Sequence, residues 1–235
     1  EMCIRVSLGL GISLPGIVNP VQKMITYSHA LGVRDLPFSE IQSYFPWHCT
    51  FLNDANAGAF AEGIGSDLPS SFFYLSLSNT VGGAIFHDGN LLPGDAFRCG
   101  EAGHMTLIPD GKPCYCGKTG CVDAYCSARL LSDLSGGRLE DFFLGLQKNN
   151  QEYHSVWDTY LKHLAVVINN LHMILDYNIV LGGYVGSFLS PWLDTIRRLV
   201  AERNTFEDDG SFVKLCTYQT CLLYTSPSPR DRSVS

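Results

Sequence analysis

The chain has 235 residues, of which 46% are hydrophobic and 17% charged, and its formal net charge is -7 at neutral pH. That composition suits an ordinary globular protein with enough apolar surface for one large domain or two small lobes. It argues against a nucleic-acid surface in this segment, which needs clustered Lys and Arg. No apolar run has the length of a membrane span, and no charged-then-apolar start marks a signal peptide.

Ile4 to Leu14 alternates apolar residues and stops at Pro15-Gly16, which predicts a strand. A short helix follows Pro37, over Ser39 to Tyr44, and Cys49 to Leu52 reads as a buried strand. Asn53-Asp54-Ala55-Asn56 caps a helix rich in Ala and Gly that runs to Glu62. Phe72 to Leu77 and Gly83 to Phe86 are predicted strands, the second turning at His87-Asp88-Gly89-Asn90. Met105 to Ile108 is expected to be a further short strand.

Helices dominate after that. They are expected at Val122 to Leu131, Leu139 to Leu146 and Glu152 to Leu175. In the longest, Trp157, Leu161, Leu164, Ile168, Leu171 and Leu175 fall three or four apart and form one apolar stripe, best placed in the core. Asn178 to Leu181 is a strand, Gly182-Gly183 a tight turn, Ser190-Pro191 a helix start, and Phe212 to Cys216 a last strand. Early strands, later helices and a returning strand-turn-helix make an α/β chain. From Cys221 to Ser235 the sequence shifts to Ser, Pro and Arg without apolar period, and is set aside as a non-native or disordered tail.

The strongest chemical signal runs from Gly100 to Tyr125. Cys114, Cys116 and Cys121 lie within eight residues on a turn-rich loop, and His104 precedes them by ten. Three thiolates and an imidazole are a complete tetrahedral set for a structural zinc. Small core cysteines are the bland alternative, and a polar loop is a poor core. The other six cysteines are scattered, so a reduced, cytoplasmic protein with a metal site is the economical reading.

Glu101-x-Gly103-His104 followed by Cys114-x-Cys116-Gly117-x-x-Gly120-Cys121-x-Asp123 resembles the signature of the ROK family of bacterial repressors and sugar kinases. The resemblance extends from about Leu8 to about Tyr218. It implies an actin-like, ribonuclease-H-like two-lobed fold with a zinc loop, the first lobe incomplete. On that pattern residues 1–53 are the remainder of the N-terminal lobe, 54–220 the sugar-binding lobe and 221–235 the tail. It also implies a small-molecule sugar as ligand, no membrane, and a homo-oligomer.

The family's site roles fall on particular residues here. Asn53 and Asp54 match a sugar-binding Asn and the Asp that serves sugar kinases as general base; the plain reading of the pair is a helix cap, and the two are compatible. Glu101 and His104 match sugar contacts, with His104 also a zinc ligand beside Cys114, Cys116 and Cys121. Asp123 stands where most relatives have Glu, one methylene shorter, and its bland alternative is a carboxylate favouring a helix dipole. Gly182 and Gly183 match the adenosine-side turn, and Gly82 and Gly83 the second phosphate loop. That loop reads Ser78-Asn79-Thr80 where kinases show Gly-Thr-Gly. Close backbone approach to phosphate needs glycine, so the run is more like that of the family's repressors. The expected function is therefore the effector-binding part of a sugar-responsive transcriptional regulator, with DNA read through a helix-turn-helix outside this chain. The alternative is an ATP-dependent hexose or N-acetyl-amino-sugar kinase, which alone would require ATP and Mg²⁺.

Overall fold

The computed structural model describes residues 9–218, so the predicted strand residues 4–8 and the tail at 221–235 lie outside the described residues. The first described strand is β1 (Leu10–Leu14). It is followed by β2 (Ile17–Asn19), β3 (Met24–Ser28) and β4 (Val33–Pro37), which form an antiparallel sheet in that order. No element is predicted there from sequence. Val33-Arg34-Asp35-Leu36 shows too little apolar alternation to signal a strand.

Helix α1 (Phe38–Gln42) leads to β5 (Cys49–Asn53), which lies parallel to β1 with Leu14 opposite Asn53. Then come α2 (Asp54–Gly65), β6 (Phe72–Leu77), β7 (Val81–His87) and β8 (Asn90–Leu92). Asp88 and Gly89 both have positive φ, 47° and 80°, in the turn joining β7 to β8, as the Asp-Gly pair predicts. After the cysteine loop follow α3 (Asp123–Cys126), α4 (Ala128–Ser132), α5 (Leu139–Gln147) and α6 (Gln151–Leu175). The described residues end with β9 (Asn178–Gly182), α7 (Gly183–Gly186), α8 (Leu193–Ala201) and β10 (Val213–Leu215).

The main sheet has the order β10-β9-β6-β7-β8, parallel from β10 to β6 and antiparallel beyond. Strand β6 is buried at all six positions, which is why Phe-Phe-Tyr-Leu-Ser-Leu reads as a nearly continuous apolar run. Its side chains alternate between two cores, as a pleated strand requires. Phe73, Leu75 and Leu77 join the large core formed with α6 and its neighbours, while Phe72 and Tyr74 pack with Ala55 and Ala59 of α2 on the other face. Close approach of α2 explains its small residues: a side chain at Gly58 or Gly63 would meet the rings of Tyr74 or Phe86.

Helix α6 begins where the Asn150 side chain accepts the Glu152 and Tyr153 amides, at 3.0 and 3.2 Å. Its predicted stripe faces the core: Trp157, Leu161, Leu164, Ile168 and Leu171 are buried and Leu175 packs at the edge. Two elements differ from expectation. The helix predicted over 122–131 breaks at Ser127 (φ -78°, ψ 154°), where the next amide, Ala128, donates to Ser78 O at 2.7 Å instead of continuing the helix. The strand predicted at 105–108 is reduced to one bridge, Thr106 to Cys121, because its partner is the short return of the cysteine loop.

The α6 assignment is testable by contrast. Trp157→Ala removes a fully buried side chain and is expected to lower stability by about 3–5 kcal/mol in urea titration. Ile174→Ala, at a residue 77% exposed, should stay within about 0.5 kcal/mol. Equal losses would mean that the wrong face has been assigned to the core.

Candidate functional site: a polar cleft beside a cysteine loop

The β5–α2 junction is fixed by Asn53. Its Oδ1 accepts the amides of Ala55 (2.9 Å) and Asn56 (3.1 Å), two of the donors a helix start leaves unpaired. Its Nδ2 donates to Gly16 O at 2.9 Å, which ties the helix start to the β1–β2 turn. Asp54 is the next residue, in the first turn of α2, and its Oδ1 also accepts the Ala55 amide at 2.9 Å. The cap reading of this pair is thus real.

Asp54 faces a cleft of about 380 Å³. One wall is Gly16, Ile17 and the Tyr27-Ser28-His29 end of β3; the other is Asn53, Asp54, Thr80 to Gly83, Glu101 and His104, with Arg98 and Tyr115 at its edge. Burial pushes the Asp54 pKa above the ordinary carboxylate value, the Ala55 amide pulls it back, and the negative charge of Glu101 adds to the rise. Glu101 opens a single 3₁₀ turn, Ala102–His104, that brings it and His104 to the same wall. Of the residues proposed from sequence, Asn53, Asp54, Glu101, His104, Gly82 and Gly83 therefore line one cavity.

Asp123 is placed differently. It is buried, and Oδ1 accepts the Val81 amide at 2.5 Å. Burial raises its pKa, while that amide and nearby His104 lower it. Its carboxylate supports the start of β7, and the residue borders a second depression with Asn79, Thr80 and Ser127. Gly82 and Gly83 lie in strand β7, opposite Ser76 and Leu75, rather than in a loop. The turn before them is Ser78-Asn79-Thr80. Gly183 (φ +76°) packs on that turn, where a Cβ would come within 2.6 Å of Leu77 N and 2.7 Å of Ser78 Oγ. Gly182 is likewise pressed against the Tyr74 ring. The two glycine pairs thus flank the turn after β6.

The cysteine loop is held in shape by its own backbone. Cys114 N donates to Lys118 O (2.8 Å), Gly117 N to Cys114 O (3.0 Å) and Gly120 N to Lys112 O (2.8 Å). Gly120 has φ +79°, and a Cβ there would overlap Ile108 O. One ligand atom from each of His104, Cys114, Cys116 and Cys121 lies within 4.8 Å of the others. His104 Nε2 is 3.3 Å from Tyr115 Oη, whereas Nδ1 is buried and has no hydrogen-bond partner among the described residues. A buried, unpaired nitrogen on a ring grouped with three cysteines is expensive unless a cation meets it. Burial pushes the Cys114 thiol up to about 12, while hydrogen bonds from the Lys118 amide and the neighbouring thiols hold Cys116 below its ordinary value despite some burial. The donor set fits a tetrahedral zinc. All seven cysteines among the described residues are free thiols.

The sequence reading missed Tyr27, Ser28, His29, Arg98 and Tyr115 as cleft residues. The first three come from the unpredicted β2–β4 sheet and the turn after β3, and Tyr115 lies between Cys114 and Cys116, whose thiols carry the local signal. No helix among the described residues is long and apolar enough to cross a membrane.

The chain is 36% identical over 126 residues to a glucokinase from Halalkalibacterium halodurans, covering 52% of this chain and 38% of that one. It is 32% identical over 127 residues to a xylose repressor from Bacillus subtilis, covering 53% of this chain and 33% of that one. It therefore spans about a third of the length of these two relatives. Among solved structures, a ROK family glucokinase from Streptomyces griseus in complex with glucose and AMPPNP superposes with a TM-score of 0.78 at 19% identity, over 92% of this chain and 78% of that chain. The fold is thus the two-lobed, ribonuclease-H-like fold of actin-like ATPases and sugar kinases. With the ROK family model matching residues 3–216, the chain belongs to the ROK family.

Proposed function

We propose that the cleft binds a sugar and that the chain is the effector-binding part of a sugar-responsive transcriptional regulator. Sugar binding is supported by the convergence of Asn53, Asp54, Glu101 and His104 on a cavity of about 380 Å³, within the size range of small-ligand sites. Carboxylates and an imidazole around one space offer the acceptors and donors that vicinal hydroxyls need. Asp123 acts through the Val81 amide. Zinc would be held by His104, Cys114, Cys116 and Cys121; bound, it would order the loop and fix the His104 ring. A metal held through Nδ1 would leave Nε2 protonated and able to donate toward the cleft.

The single observation that carries the regulator reading is the turn after β6. Ser78, Asn79 and Thr80 place side chains where close backbone approach to phosphate requires glycine, and Gly183 is already packed on Ser78. A xylose repressor among the relatives is consistent with this. DNA contact would then need a helix-turn-helix in addition to the residues described. A kinase is the second reading, favoured by Asp54: a half-buried carboxylate with a raised pKa in the cleft is suited to take a proton from a sugar hydroxyl. ATP and Mg²⁺ belong only to that reading.

Calorimetry with glucose, mannose, xylose, N-acetylglucosamine and N-acetylmannosamine should reveal binding of at least one sugar, with no ADP release when ATP is added. ADP release that vanishes in Asp54→Ala while sugar binding persists would overturn the regulator reading. Metal analysis should find about one zinc per chain. Cys116→Ser should lose it and weaken sugar binding about 10-fold or more; full affinity without metal would contradict the loop's role.

Because burial raises the Asp54 pKa in the folded chain, folded protein holds that proton to higher pH than unfolded protein does. The stabilisation is present in acid and is lost as pH rises through the folded value, so the ionised carboxylate opposes folding at neutral pH. Asp54→Asn is expected to stabilise the fold by about 1 kcal/mol at pH 7 and to lose that advantage in acid. Thermal melts at both pH values check this; a destabilised variant at pH 7 would contradict it.

A further inference from the structure

Four rings in a row line the cleft and join its two walls. Tyr27 on β3 packs edge-on against His29 (centroids 4.5 Å, 77°), His29 against Tyr115 of the cysteine loop (5.1 Å, 81°), and Tyr115 against His104 (5.4 Å, 63°). The row has polar links at both ends: Tyr27 Oη lies 2.8 Å from His29 Nδ1 and Tyr115 Oη 3.3 Å from His104 Nε2. The β3–β4 turn and the cysteine loop are therefore in contact through His29 and Tyr115, residues 86 positions apart in the chain. His29 is exposed and Tyr115 is 45% exposed, so parting them uncovers little buried surface.

The Tyr115 hydroxyl also occupies a particular place. His104 Nδ1 is buried and has no hydrogen-bond partner among the described residues; with a cation there, Nε2–H would be the ring's donor toward the cleft and Tyr115 Oη, 3.3 Å away, its acceptor. One N–H serves one acceptor well. A ligand oxygen that uses this donor has to displace Tyr115.

We propose that Tyr115 is a positioning residue that gates the cleft. Its hydroxyl is a placeholder for a ligand hydroxyl on His104, and its ring latches the cysteine loop to the β3–β4 turn through His29. A ligand that takes His104 Nε2 releases Tyr115, and the release is passed to the β2–β4 sheet by loss of the His29 contact. The site thereby selects ligands offering a hydroxyl oxygen at the position of Tyr115 Oη, and reports their arrival to the opposite wall. The ligand half rests on the sugar-binding reading; the latch does not.

Two measurements on the full chain test the two halves separately. In hydrogen exchange without sugar, His29→Ala should speed amide exchange at residues 112–118, and Tyr115→Ala should speed it at residues 27–33, each by about 3-fold or more for a broken ring contact of this kind. Tyr115→Phe, which keeps the ring, should change neither. Unchanged exchange in both alanine variants overturns the latch, whatever the sugar result. In calorimetry with the sugar that binds wild type, Tyr115→Phe should bind about 2- to 10-fold more tightly, because the competing hydrogen bond is gone. Equal or weaker binding, with zinc content unchanged, overturns the placeholder role. A wild-type chain that binds none of the sugars defeats the sugar reading and with it the placeholder, while the exchange result still decides the latch.

Discussion

Strand β6 is the constraint on which the rest depends. It is buried along its whole length and paired on both edges, by β9 and β7, so both of its faces must be covered. Helix α6 and its neighbours cover one face and α2 the other. Because α2 has to lie close against Tyr74 and Phe86, its small residues follow, and its first turn is delivered to the end of the sheet where β7 begins. That is where Asn53 and Asp54 stand. The turn after Leu77 and the turn after Gly182 end up against each other for the same reason, since β6 and β9 run parallel and in register from Phe72 opposite Asn178 to Ser76 opposite Gly182.

His104 links this scaffold to the chemistry. One imidazole has two nitrogens with different surroundings: Nδ1 is buried without a hydrogen-bond partner among the described residues, Nε2 lies against Tyr115, and the ring groups with three cysteines. A ring held this way cannot serve the cleft well unless its other nitrogen is satisfied, because the tautomer and the orientation would both be free to change. The cysteine loop is already shaped by its backbone hydrogen bonds, so a metal would find its donors gathered rather than having to gather them. Glu101, three residues before, shares the same short turn and is carried with it.

Much of this was legible in the sequence, for identifiable reasons. Asn53 capping α2, the stripe of α6 and the Asp88-Gly89 hairpin are local signals, and each appears where its spacing puts it. The cysteines and His104 were legible because few other chemistries use that set. The β2–β4 sheet was not, since Ile17–Asn19 is three residues long and β4 carries Arg34 and Asp35. With it went one whole wall of the cleft, including Tyr27 and His29. The break at Ser127 depended on a hydrogen bond from Ala128 to Ser78, a contact between segments 50 residues apart. No local pattern contains that information. The assignment of Asp123 to a sugar contact turned on reach, and the carboxylate is engaged with the Val81 amide.

Asp54, Glu101 and His104 are proposed to hold a sugar in one cleft. A crystal structure of the zinc-loaded chain grown with the sugar that binds it in calorimetry tests this most directly. A single sugar is expected in the cleft, its hydroxyls within hydrogen-bond distance of Asp54, Glu101 and His104 Nε2, with the Tyr115 hydroxyl moved away from His104. A sugar bound elsewhere on the surface, or one in the cleft that leaves His104 paired with Tyr115, would contradict it.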